Sequence, residues 1–195
     1  MNRLILAAAC VLLASTARTE DKAGAPGDEM MKAWQDFATP NDNHKRLAAF
    51  VGSWKTHSKW WMKPGGAPEE SDGAAEIKSV LGGRYIEQHM DGKMMGQPFS
   101  GIGFTGYDNL KKKYVSIWLD NMGTSILYVT GKADGSGKVI KSAGTVDDPM
   151  TKKPQKYQDA VTLKDPDTFT YEAWGPEPGG TKMYRMMEIV YTRSK

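Results

Sequence analysis

The hydrophobic positions change period partway along the chain. Met30, Met31, Trp34 and Phe37 recur at helical spacing behind Asp28, a residue suited to an N-cap, which predicts an amphipathic helix from about Glu29 to Ala38. Thr39-Pro40 ends that helix and starts another, because Thr caps well and Pro is tolerated in a first turn. The second helix is expected to reach Val51 and stop at Gly52. Past Gly52 the pattern becomes short β-branched and aromatic runs, separated by turn pairs such as Gly82-Gly83, Asp91-Gly92 and Asp108-Asn109. About ten strands are predicted: 53–62, 73–81, 84–91, 98–107, 113–120, 124–132, 138–145, 156–163, 168–174 and 182–193. Hairpin-length connections make this an antiparallel meander, and closing it into a barrel removes its exposed edges.

Period two also assigns faces. In the first strand Trp54, Trp60 and Met62 share one side, and Lys55, His57 and Lys59 share the other, which should be outside. In the run from Lys113, Tyr114, Ser116, Trp118 and Asp120 oppose Val115, Ile117 and Leu119. Neither side is simply solvent-like. Such a strand fits a barrel whose interior mixes aromatic and polar groups around a cavity, with part of the exterior covered by the N-terminal helices.

Before the helices, Met1-Asn2-Arg3 precedes an uncharged run from Leu4 to Ala14 and the small residues Ser15-Thr16-Ala17, the pattern of a secretory signal peptide spanning 1–17. Residues 18–27 are small, polar and broken by Pro26, as in a flexible leader, so 28–195 is expected to be a single barrel domain with N-terminal helices. The apolar run is much shorter than the roughly 20 residues of a membrane-spanning helix, and no later stretch approaches that length. Cys10, the sole cysteine, has Ala7 where a lipidation signal prefers Leu and is followed by the apolar Val11 to Leu13, which suits a signal core better than a lipid attachment site. Removing 17 of the 195 residues would leave 178 without a cysteine, so no disulfide, thiolate metal site or cysteine nucleophile is expected. The formal charge of +3 is interspersed along the chain, which gives no support to nucleic-acid binding.

The three histidines, His44, His57 and His89, form no close-spaced metal pair. Methionine pairs occur at 30–31, 94–95 and 186–187, but neighbours on a regular strand point to opposite faces, so the last pair is read as core filler rather than a metal chelate. No Gly-x-Ser-x-Gly, His-Glu-x-x-His or phosphate loop is present. Gly101-Ile102-Gly103 reads as a place of close backbone approach or a sharp bend. Arg84, Glu87, His89 and Asp120 are the ionisable residues that could meet in a cavity, although alternation puts Arg84 and Glu87 on opposite faces.

Several stretches together resemble a family known as domain of unknown function 1579: His44 to Leu47 leading to Gly52-Ser53-Trp54, Leu81 to Tyr85, Gly92 to Phe99, Gly101 to Asp108, Trp118 to Met122, and Tyr191-Thr192-Arg193. The resemblance covers roughly 44–193. It implies a calycin-like (lipocalin-like) barrel and brings no catalytic set with it. In such barrels the Gly-x-Trp tryptophan plugs one end against a basic residue of the last strand, which implies a structural clasp between Trp54 and Arg193. Haem-binding barrels of the nitrobindin kind share the Gly-x-Trp start but use an axial histidine from a late strand. No histidine follows His89, so no haem, and no other cofactor, is expected.

The expected protein is therefore mainly β: an exported, periplasmic or extracellular barrel that binds a small, partly apolar or amphipathic molecule inside. Tyr114, Trp118, Arg84, His89 and Asp120 are the candidate binding residues. The alternatives are a cavity enzyme using Arg84, His89 or Asp120, and an envelope interaction protein whose barrel is filled by its own side chains.

Overall fold

The computed structural model describes residues 26–195. The signal segment 1–17 and all but the last two residues of the leader lie outside the described residues. Two compact units divide after Gln35, the second being Asp36–Lys195. Helix α1, Pro26–Ala38, has no buried residue and begins with Pro26, whose fixed φ suits a first helical position.

In the second unit a short helix α2, Asp42–Leu47, runs into a 3₁₀ turn, Ala48–Phe50. Its N-cap is Asn41 and not Thr39. The Asn41 side chain accepts from the Asn43 N–H at 2.9 Å, and His44 Nδ1 accepts from the Asn41 N–H at 3.0 Å, forming a reciprocal capping box. That box satisfies the Asn43 and Asn41 N–H donors, and the helix starts later than expected.

The remaining chain forms β1 (Gly52–Trp60), β2 (Glu69–Val80), β3 (Tyr85–Met94), β4 (Gln97–Asp108) and β5 (Lys113–Asp120). It continues as β6 (Leu127–Ala133), β7 (Val139–Asp147), β8 (Pro154–Asp165), β9 (Thr168–Pro176) and β10 (Met183–Arg193). Each strand pairs antiparallel with its sequence neighbour, and β1 closes the ring against β10. The barrel thus leaves no sheet edge for another chain to extend.

The two ends of the barrel differ. At the β1 start, Leu47 and Phe50 drop into the core beside Trp54, while Tyr114 donates to the Asn43 carbonyl at 3.3 Å and Tyr107 meets His44 edge-on. So α2 and the 3₁₀ turn close one end instead of covering the outer wall. That wall carries its own apolar row, with Phe104, Ile117 and Tyr128 in register across β4, β5 and β6. In β1 the inward side is Trp54, Thr56, Ser58 and Trp60, with His57 outside between Asp72 and Glu70. The strand ends at Trp60, so Met62 is exposed rather than inward.

Candidate functional site: a cavity inside the barrel

Two inward glycines prepare the site. On β4 the inward positions are Phe99, Gly101, Gly103, Thr105 and Tyr107, and Gly103 pairs with Trp118 of β5. The Trp118 indole lies across both glycines: a Cβ on Gly101 would stand 2.2 Å from Trp118 Cζ2, and one on Gly103 2.7 Å from Cε3. The Gly-Ile-Gly pattern therefore makes room for an aromatic side chain. Phe99 stacks on the indole at 6.5 Å between ring centroids and 13° between planes. The indole Nε1 donates to Asp120 Oδ2 at 2.9 Å, while Asp120 Oδ1 accepts from the Met122 N–H at 2.9 Å. Asp120 thereby orients Trp118 and starts the following turn at once.

Beside this aromatic pair the barrel encloses a cavity of about 390 Å³. That volume lies within the usual range for small-molecule sites, roughly 300 to 1,000 Å³, and far exceeds the roughly 30 Å³ share of one water. Much of the wall is apolar, including Ile77, Ile86, Leu127, Val129 and Ile189, and it carries four methionines, Met90, Met94, Met186 and Met187. Met186 and Met187 both reach the cavity because the β9–β10 register shifts between Arg185 and Met187. The expectation that this pair splits between faces assumed a regular strand, and the bulge breaks that alternation.

Polar groups are few and placed on particular strands. Asp159 of β8 is 7% exposed and lines the cavity opposite Ser142 of β7. Burial pushes its carboxyl up to about 6, and a hydrogen bond from Ser142 opposes that shift. The Tyr157 and Tyr171 hydroxyls meet at 2.5 Å, and burial raises both phenols well above their ordinary value, so both keep their protons at neutral pH. Asp159 and Asp120 both add to the rise at Tyr157, as nearby negative charge should. Gln88 donates to the Tyr191 hydroxyl at 3.1 Å, and Thr105 pairs with Ser116 at 2.9 Å. Thr56 Oγ1 is buried on the cavity wall with no hydrogen-bond partner in the protein.

The expected binding residues separate on this geometry. Trp118 and Asp120 line the cavity. Tyr114 points inward on the same strand but lies at the helix end, 1% exposed, and is not part of the cavity wall. Arg84 follows the 3₁₀ turn Leu81–Gly83, and its guanidinium donates to the Leu81 carbonyl at 3.2 Å and the Ala38 carbonyl at 2.7 Å, which holds it at the helix end. His89 alternates with the inward Gln88 and Met90, so it lies outside, paired with Glu87 at 2.6 Å. Asp159, Tyr157 and Tyr171 went unrecognised as site residues. Their signal was present in β8, where Tyr157 and Asp159 share a period-two face with the apolar Val161 and Leu163. An aspartate on an apolar stripe is the feature to notice. Among the described residues no histidine lines the cavity, and no three His, Cys, Asp or Glu side chains group as a metal site.

The structural pair sits at the closed end, where the Arg193 guanidinium carbon is 4.1 Å from the Trp54 ring centroid. Gly52 completes it, since its φ of +139° and the Arg193 Nη1 2.4 Å from a would-be Cβ both exclude a side chain there.

No helix among the described residues is long and apolar enough to cross a membrane. The crystal structure of Rv2717c from M. tuberculosis superposes with a TM-score of 0.60 at 15% identity, over 80% of this chain and all of that one, and so shares the fold. A redesigned β-barrel matches at a TM-score of 0.40 and 13% identity, over 77% of this chain and 96% of that one. A Nostoc punctiforme protein of unknown function from the DUF3598 family matches at 0.23 and 6%, over 80% of this chain and all of that one. No curated protein matches the sequence. Residues 39–193, the stretch that builds both the closed end and the cavity, match the family described as protein of unknown function DUF1579, and the chain belongs to that family.

Proposed function

We propose that the protein is exported and binds one small, partly apolar molecule inside its barrel. The observation that carries the binding reading is the 390 Å³ cavity, walled largely by apolar side chains and furnished with a few placed polar groups. Space of that size is at odds with a barrel filled by its own side chains. An acid–base enzyme is less well supported: Asp159 is pushed toward neutral pH, but the two ionisable side chains in contact inside the barrel, Tyr157 and Tyr171, are both pushed away from it. Export is supported by the charged start, short apolar run and small residues of 1–17. N-terminal sequencing of exported protein should begin at Arg18, and a start at Met1 would refute the signal reading.

Titration with the neutral fluorophore N-phenyl-1-naphthylamine tests the binding reading. One saturable site is expected, abolished by Ser116→Trp, which places an indole in the cavity beside Thr105. Circular dichroism and thermal melting establish that the variant is folded, and Ser142→Trp supplies a second plug from another strand. An absence of saturable binding, or binding that survives both plugs, would overturn the reading. Where saturable binding is found, native mass spectrometry of protein from its own host identifies the retained natural ligand.

A further inference from the structure

The charges on the cavity wall are unequally placed. The charged side chains that line it are Asp72, Lys93, Asp120 and Asp159, of which Asp159 is buried while Lys93 is exposed at the end of β3 away from the helices. Asp72 is occupied on the outside by His57 Nδ1 at 2.8 Å, and Asp120 by Trp118 and the Met122 N–H. Asp159 differs. An ionised carboxylate offers about four lone-pair directions, and Ser142, its partner across the β7–β8 register, is the side-chain donor beside it. Tyr157 and Tyr171 turn their hydroxyls toward each other.

We infer that the cavity selects its ligand by the head group: an apolar body carrying a hydrogen-bond donor, a protonated amine above all, is received at Asp159, and carboxylate-headed amphiphiles are excluded. This rests on the reading of the barrel as a small-molecule binder. An ammonium supplies up to three N–H donors and the opposite charge, meeting the acceptor capacity that Ser142 leaves unused. A carboxylate placed there would face Asp159 with like charge and no buried cation to offset it. The remaining lining agrees with an apolar body. Met90, Met94, Met186 and Met187 form a wall that adapts to irregular shapes, and the Phe99–Trp118 stack offers aromatic surface that also attracts cations. Thr56, 3% exposed, carries a buried Oγ1 without a protein partner and is a second polar handle on the wall.

The test compares three molecules with one body and different heads: decylamine, decanol and decanoate. Each is titrated calorimetrically at pH 7.5, below its micellar concentration, into the full-length mature protein and into Asp159→Asn. In the wild type, decylamine should bind about tenfold or more tighter than decanol, with decanoate weakest; tenfold corresponds to about 1.4 kcal/mol. In Asp159→Asn, decanol affinity should stay within about twofold, and the amine preference should shrink to about threefold or less. Decanoate binding as tightly as decylamine, or an amine preference unchanged in the variant, would overturn the inference while leaving the cavity a binding site. If none of the three binds the wild type, both this inference and the binding reading fall.

Discussion

Arg193 stacks on Trp54 from the strand directly across the barrel seam, and the two residues face each other in the β1–β10 register. The guanidinium also donates to the carbonyls of Val51 at 2.9 Å, Ala49 at 3.3 Å and Pro166 at 2.9 Å, and it meets Asp167 at 3.2 Å. Beneath it, Trp54 Nε1 donates to the Phe50 carbonyl at 2.9 Å, and Phe169 meets the indole edge-on at 4.7 Å. One cation thus ties the final residue of the last strand to the turn that precedes the first strand. The barrel is closed there by side chains as well as by backbone pairing.

Trp54→Ala should therefore destabilise the protein by about 3 to 5 kcal/mol, the range for a large aromatic lost from a core. Arg193→Ala should cost less, about 1 to 3 kcal/mol, because the arginine is partly exposed and part of its hydrogen bonding passes to water. Urea unfolding of the single and double variants checks the coupling: the double should fall short of the sum, since each single change already removes the stack. Full additivity would contradict the clasp.

Gly101→Ala is expected to destabilise by about 1 to 3 kcal/mol, although alanine is better than glycine in a strand elsewhere. Its methyl would overlap the Trp118 ring at 2.2 Å, a contact relieved only by moving the indole off its ledge. Combining it with Trp118→Ala should recover most of the alanine penalty. Near-ultraviolet circular dichroism should report the displaced indole, and an unchanged spectrum together with unchanged stability would refute the packing argument.

Much of this architecture could be read from residue order. The meander and the Trp54–Arg193 partnership follow from local turn chemistry, alternation and the family motifs, and Lys113–Asp120 forms a strand with the boundaries that its alternation predicts. What eluded sequence reasoning was position along the barrel axis. Tyr114 and Trp118 share an inward face, yet α2 covers one and the cavity meets the other, a difference set by strand stagger. Arg84 was misplaced because a tight turn redirects it to the helix end, and the Met186–Met187 pair because a bulge interrupts alternation. Asp159 was overlooked because a lone aspartate in a strand is uninformative until its neighbours at period two are weighed.

The Tyr157–Tyr171 pair makes a separate prediction. Tyr157→Phe removes one of two hydroxyls that satisfy each other in a buried setting, leaving Tyr171 unpaired at a cost of about 1 to 3 kcal/mol. Removing both hydroxyls in Tyr157→Phe/Tyr171→Phe should cost less than the sum of the single changes, because no orphaned group remains. Thermal unfolding of the three variants measures the difference, and an additive result would mean the hydroxyls act independently.

The last expectation concerns pH and Asp159. Its carboxyl ordinarily titrates at 3.8 and is pushed up to about 6 in the folded barrel, chiefly by burial. The folded state therefore holds this proton more tightly than the unfolded chain does, and stability is lost as pH rises through the window from 3.8 to about 6. At about 1.4 kcal/mol per unit, the ionised carboxylate costs up to about 3 kcal/mol at neutral pH. Asp159→Asn keeps the shape without the charge, so at pH 7.5 it should be more stable than the wild type by about 1 to 3 kcal/mol, and that advantage should vanish below pH 4. His57, raised by Asp72 first and by Glu70, and His44, lowered chiefly by burial, are shifted by the same surroundings in both proteins. Subtracting the two stability curves cancels their contribution and isolates Asp159. A difference that does not change between pH 4 and pH 7 would show that this carboxylate is not held at a cost. Its role as the charged receptor of the cavity would then lose a physical signature common to functional sites, a group kept ionised at the expense of stability.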